Sequence, residues 1–214
     1  MDVLAAIQAR HSVRDFTAKP VPKDIIMKIM EVATLSPSSG NGQPWEIFIA
    51  CGATIENIRT AYLERARQGG GPSGPPPMPA FIQERMTTIR NERMRLLGLD
   101  PADPASGSVF MEWGARLFGA PVVAVICMDK ALSSHLDIGM LTQTICLAAQ
   151  NFDVDSLIAS AFVSQPDILR KELEIPENLN ILIGIGLGYP NPKSIINTYR
   201  SPRRPLQEVV RYKS

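Results

Sequence analysis

PSSGNGQPW, residues 37–45, sets two serines, an asparagine and a glutamine among two prolines and two glycines, and ends on Trp45. It closes a helical segment and opens a strand, so its reading decides where the chain passes from its first helices into a sheet. Upstream, residues 19–36 place Pro22 and Asp24 in first-turn positions and set Ile25, Ile26, Ile29, Met30 and Ala33 on one helical stripe. Downstream, WEIFIAC (45–51) reads as a strand. A helix end and a strand entry account for Gly40 and Pro44. They do not account for Asn41 and Gln43, whose amides carry both donors and acceptors and can read the edge of a heterocycle. Ser38 and Ser39 add further donors, and Gly40 and Gly42 permit close backbone approach.

Working outward, residues 2–9 form a short amphipathic helix with Val3, Leu4 and Ile7 on one face, and RHSVRDF (10–16) leaves it as a polar, basic exit. Residues 54–68 read as helix. GGGPSGPPPMP (69–79) interrupts that pattern, since glycine loosens the chain while successive prolines forbid helix and ladder alike. A charged helix over 80–97 follows, and residues 100–118 read as a loop returning to the body. Residues 64–118 therefore form an excursion from a single domain spanning 1–214, with too little apolar patterning to bury a centre of their own.

PVVAVICM (121–128) is an unbroken β-branched run expected as a central strand covered on both faces. A mostly apolar helix over 136–150, a strand in VDSLIASAF (154–162), a short helix in 165–175 and a strand in LNILIGIGLGYP (179–190) complete the body. The tail from 191 has no clear fold signal. Helices and strands in this order give an α+β or α/β domain.

With 22 Lys and Arg against 21 Asp and Glu, the net charge is +1, and nothing suggests a nucleic-acid or membrane-surface protein. No apolar run approaches the ~20 residues of a membrane span. The first residues lack a signal-peptide block, so a cytoplasmic protein is expected. Cys51, Cys127 and Cys146 suit reduced, mainly buried thiols, and two histidines without CxxC or HxxxH spacing argue against a metal site. A cofactor, if present, is organic.

GIGLG (184–188) is not a dinucleotide fingerprint, because Pro190 and Pro192 forbid the helix that should follow. Close packing of a strand against something flat explains it better. Ser160 lacks a nearby base and is no nucleophile. RHSVR has Arg10 and Arg14 four apart with Ser12 between them, a set able to converge on one multiply charged anion. A solvated basic turn explains an isolated RxSxR equally well. A second cluster, Arg200, Arg203 and Arg204, sits near the other end of the chain.

RHSVRDF, then PSSGNGQPW, then a late GYP followed by RRPL resemble the FMN-dependent nitroreductase family in order and spacing from residue 2 to about 210, with 64–118 divergent. The resemblance implies a nitroreductase-like α+β fold, with a mixed, mainly antiparallel sheet flanked by helices and an intertwined homodimer holding FMN at its interface. It implies that Arg10, Ser12 and Arg14 contact the flavin, that Arg203 closes on its phosphate, and that Arg204 neighbours it. Pro37, Ser38 and Ser39 would reach the partner's flavin, with Asn41 and Gln43 supporting. His11 stands where many members have Arg. Ala159, Ser160 and Ala161 fall where the family presents backbone N–H groups to the flavin's reactive edge. The implied activity is NADH- or NADPH-dependent, ping-pong reduction of nitroaromatics to nitroso and hydroxylamine products through flavin N5, with no dedicated catalytic side chain. Enones, quinones or halogenated phenols are alternative acceptors, and a flavin-binding protein without turnover is a further alternative. Phe81, Phe110 and Trp113 are candidates for stacking on an aromatic acceptor, with 69–113 covering part of the cleft.

Overall fold

A computed structural model describes residues 1–69 and 78–214. Strands β1 (Glu46–Cys51), β2 (Val122–Asp129), β3 (Asp155–Ala159) and β4 (Leu179–Gly188) form one sheet in the order β1-β2-β4-β3. Every pairing between them is antiparallel; the parallel element is an isolated bridge from Ser12 to Ser156. The register sets Ala124 between Ile49 and Ile185.

The strand β2 alternates between two cores, as the pleat requires. Val122, Ala124, Ile126 and Met128 face a layer containing α2 (Lys23–Ala33) and α6 (His135–Asn151). Val123, Val125 and Cys127 face the opposite layer, with α3 (Gly52–Arg67) and α7 (Pro166–Leu173). Burial on both faces is what the continuous apolar run called for.

The glycines of β4 meet the flat partner expected for them. A Cβ added to Gly184 would lie 2.3 Å from Phe162 Cβ, and one on Gly186 would lie 2.5 Å from Phe162 Cζ. Phe162 is fully buried and lies edge-on to Phe118, their centroids 5.7 Å apart.

Two features of the excursion differ from expectation or escape it. Residues 100–118 are not simply a loop, because α5 (Pro104–Ala115) occupies most of them after α4 (Ala80–Leu96). Asp103 caps α5 by accepting the Ala105 N–H at 2.9 Å, and Pro104 stands in its first turn, where a missing N–H costs nothing. The glycine- and proline-rich path over 69–79 lies mostly outside the described residues.

Helix α1 (Val3–Ala9) packs on α6 but turns Val3 and Leu4 outward, 70% and 71% exposed. Leu35 and Leu136 are exposed by 83% and 77%. The tail carries only a short turn of helix, α8 (Leu206–Val209). Among the described residues no helix is long and apolar enough to cross a membrane.

Candidate active site

RHSVRDF runs beside the edge of β3. The Val13 N–H donates to the Ser156 carbonyl at 3.1 Å, Thr17 N–H donates to the Tyr189 carbonyl at 2.8 Å, and Phe16 bridges Pro190. Val13 and Phe16 are buried anchors, so the polar residues between them are presented from a fixed backbone.

The C-terminal stretch returns to lock this loop. The Asn197 Oδ1 accepts from the Arg14 and Asp15 N–H groups at 2.8 and 3.2 Å, and its Nδ2 donates to the Asp15 carbonyl at 2.7 Å. Asn191 Nδ2 donates to the Asp15 carboxylate at 3.0 Å. Sequence reasoning missed Asn197, because nothing in its neighbourhood signals partners 182 and 183 positions away.

Arg14 is half-buried and faces a cleft of about 1400 Å³. Its guanidinium donates to the Ser12 carbonyl at 3.1 Å and has no carboxylate partner among the described residues. Burial first, and repulsion from Arg93 second, push its pKa down from the ordinary arginine value to about 10. Arg14 still carries its charge at neutral pH, and a part-desolvated cation without a counterion gains from binding an anion.

The cleft floor is the end of β3 and the tight turn after it. Leu157, Ala159, Ser160 and Ala161 line it, with Phe118 beside them. A 3-10 turn opens at Ser160, and the leading N–H groups of such a turn have no partner within it. Below, the Tyr62 hydroxyl donates to the Phe162 carbonyl at 3.0 Å and accepts from the Gln165 N–H at 3.3 Å. Leu117 and Phe118 both take left-handed backbone, with φ of 54° and 55°, and the Phe118 ring lies edge-on to Phe162 beneath the floor.

The outer wall is the excursion. Arg85, Arg90 and Arg93 from α4 and Phe110 and Trp113 from α5 line the cleft. Phe110 and Trp113 meet edge-on at 6.3 Å. Phe81 is outside the lining; it is half exposed, with the Arg85 guanidinium 5.2 Å from its ring. A sequence scan for aromatics could not separate it from the other two, and it gave no weight to the α4 arginines.

The remaining candidates lie apart. Residues 37–43 are largely exposed, and none lines the large cleft. Ser38 Oγ accepts the Gln43 N–H at 3.0 Å, the Asp137 carboxylate accepts the Ser39 N–H at 3.3 Å, and Pro37 borders a shallow concavity with Leu136. Asn41 and Gln43 have φ of 57° and 43°, a conformation Asn adopts more readily than most residues. Arg10 is half-buried at the loop entry, and the His11 ring meets the Ala9 carbonyl at 3.0 Å. Arg203 and Arg204 are exposed and bond only within residues 201–208. Arg200 is held nearer, donating to the Asn197 carbonyl at 2.8 Å.

The cleft thus joins an unpaired arginine, a floor of backbone donors and an aromatic wall. The sequence profile of the Nitroreductase family matches residues 7–189. The chain belongs to the nitroreductase family. Its relatives include the chloronitrobenzene nitroreductase of Comamonas testosteroni and the nitrobenzene nitroreductase of Ectopseudomonas oleovorans. Each is 29% identical and covers 96% of this chain and 94% of the relative. The fold matches the FMN-dependent nitroreductase NfnB from Mycobacterium smegmatis in complex with NADPH. The TM-score is 0.91 at 26% identity, covering 100% of both chains. In this nitroreductase fold, α4 and α5 supply one wall of the cleft.

Proposed function

We propose that this chain is an FMN-dependent NAD(P)H oxidoreductase that reduces nitroaromatic compounds, acting as a cytoplasmic homodimer with the flavin at the subunit interface. The observation that carries the reading is the half-buried, unpaired Arg14 at the mouth of a cleft floored by Ala159–Ser160–Ala161. That donor set fits a flavin mononucleotide, which brings an anionic phosphate and a hydrogen-bonding heterocycle of matching chemistry. The likeness to an FMN-dependent nitroreductase in complex with NADPH supports the same cofactors here.

Bound FMN would supply hydride chemistry at N5, between a nicotinamide and a nitro group taken in turn to nitroso and hydroxylamine. The chain's residues bind and orient. Arg14, with Arg10 and Ser12, would hold the anionic and pyrimidine parts, and backbone donors at 159–161 would stabilise charge at the reactive edge. Phe110 and Trp113 would stack on the acceptor and exclude water. No Asp, Glu, His, Cys or Lys lines the described cleft, so the protons that complete each reduction are assigned to solvent.

The dimer reading rests on the exposed apolar side chains Val3, Leu4, Leu35 and Leu136, a set costly to leave in water. It would set Pro37, Ser38 and Ser39 against the partner's flavin, with Asn41 and Gln43 supporting the turn and Arg203 and Arg204 closing from the tail. The cytoplasm suits its three free cysteines.

The test is a fluorescence titration of apoprotein with FMN. Wild type should bind tightly, and Arg14→Ala should bind at least about tenfold more weakly while keeping its fold, the loss expected for one charge-assisted contact. Equal affinity in the two proteins would remove Arg14 from the flavin site.

A further inference from the structure

The cleft's outer wall carries more positive charge than a flavin phosphate calls for, and that charge is placed beside aromatic rings. Gln83, Met86, Thr87, Arg90 and Arg93 recur at helical spacing along one face of α4, and all of them line the cleft. Across from them α5 presents Gly107, Ser108 and Phe110. The Arg90 guanidinium reaches over to α5, where a Cβ built on Gly107 would lie 3.2 Å from its terminal nitrogen. Glycine at 107 leaves room for it.

Arg93 is fixed rather than waving in solvent. Its Nε donates to the Ile89 carbonyl at 3.1 Å, its guanidinium sits 5.9 Å from the Phe110 ring, and both terminal amino groups remain for a ligand. Among the described residues neither Arg90 nor Arg93 has a carboxylate partner. None of the acids of these elements lines the cleft: Glu92 accepts from the Tyr199 hydroxyl at 2.6 Å, Glu112 faces Arg116 at 3.9 Å, Asp103 caps α5, and Glu84 lies outside the lining. The result is a cleft with Arg14, Arg85, Arg90 and Arg93 in its described lining and no acid, in a chain of net charge +1. Two adjacent forks of donors above an aromatic wall suit a planar anion attached to a ring.

We propose that Arg90 and Arg93 bind a carboxylate carried on the acceptor's ring, so that the favoured substrates are anionic nitroaromatics. This rests on the nitroaromatic-reductase reading and names the substrate class of the same cleft. Phosphate on the electron donor or on the flavin shares the anionic chemistry, and the experiment separates these sources.

Holoenzyme is assayed at saturating NADPH with 4-nitrobenzoate and with its methyl ester, as wild type and as the double variant Arg90→Gln/Arg93→Gln. In parallel, benzoate and benzamide are titrated into holoenzyme by calorimetry. The wild type should show a KM for the acid at least about tenfold below that for the ester, as expected for one charge-assisted pair. The double variant should bring that ratio to about one and lose the preference for benzoate over benzamide. Equal KM values for acid and ester in the wild type would overturn the proposal. So would a variant that keeps the acid preference while its KM for NADPH rises, which would assign the arginines to the donor's phosphate. Loss of FMN from the variant with the benzoate preference intact would assign them to the flavin and overturn the proposal too. If neither nitro compound is turned over, the nitroaromatic reading fails, and the benzoate titration still decides the arginine site.

Discussion

Asn197 holds Arg14 by the backbone: its Oδ1 accepts the Arg14 N–H at 2.8 Å, and the same amide returns a hydrogen bond to the Asp15 carbonyl at 2.7 Å. Asn197 is buried, so these groups have little water to turn to if the amide is removed. The position of the basic loop is therefore set from the far end of the chain.

Replacing Asn197 with Ala should destabilise the fold by about 1–3 kcal/mol, the cost of stranding two part-buried N–H groups and a carbonyl. FMN binding should weaken under conditions where the variant is fully folded, because Arg14 loses its fixed backbone. Urea unfolding and a flavin titration on the same sample measure both effects. Asn197→Asp keeps the acceptor and should fall between the two.

The contacts of Phe162 make two glycine variants behave differently. Gly186→Ala drives a methyl into the far end of the ring, and Gly184→Ala drives one into Phe162 Cβ. Each should cost about 1–3 kcal/mol or more by overpacking. Phe162→Leu, which removes the ring's far end, should recover part of the loss for Gly186→Ala and none for Gly184→Ala. Thermal unfolding of the single and combined variants tests the distinction.

Leu35 and Leu136 are among the most exposed apolar side chains of the molecule. The double variant Leu35→Asp/Leu136→Asp should sediment as a monomer, retain native circular dichroism and lose FMN. A dimer that still holds flavin would place the interface elsewhere.

Stability should fall in mild alkali. Burial is the first cause that pushes the Cys127 thiol from 9.0 to about 11, and it raises the Tyr62 phenol as well. Both groups stay protonated in the fold and ionise earlier in the unfolded chain. Their contribution is whole below the unfolded thiol value and is lost as pH rises through the folded one. For Cys127 the window runs from 9.0 to about 11. Its share is about 2–3 kcal/mol, since each tenfold gain in proton affinity on folding is worth about 1.4 kcal/mol. Chemical denaturation at stepped pH should show the decline, and Cys127→Ala should flatten it.

All four strands were legible, because each is a β-branched or glycine-spaced run bounded by turn residues, and β2 declared its burial on both faces. Helix α5 was not. Ser106, Gly107, Ser108 and Gly114 are poor helix formers, and two Asp-Pro pairs upstream read as turns. The Asp103 cap and the edge-on pair of Phe110 and Trp113 outweigh that weak propensity. The basic loop and the 159–161 floor could be named from motifs, but Asn197, Arg90 and Arg93 could not. Asn197 bonds residues 182 and 183 positions away, and the place of Arg90 and Arg93 in the cleft lining follows from how α4 packs beside α5, which local pattern does not encode. Asn41 is the reverse case: its left-handed φ gives it a backbone reason within the turn.

The central claim is tested most directly by mixing anaerobic, FMN-loaded protein with one equivalent of NADPH and then with a nitroaromatic, following absorbance in the flavin band. The account predicts that the yellow colour bleaches on the first addition and returns on the second, with nitroso or hydroxylamine product recovered. A protein that takes up no FMN, or a bleached flavin that the nitro compound leaves reduced, would contradict it.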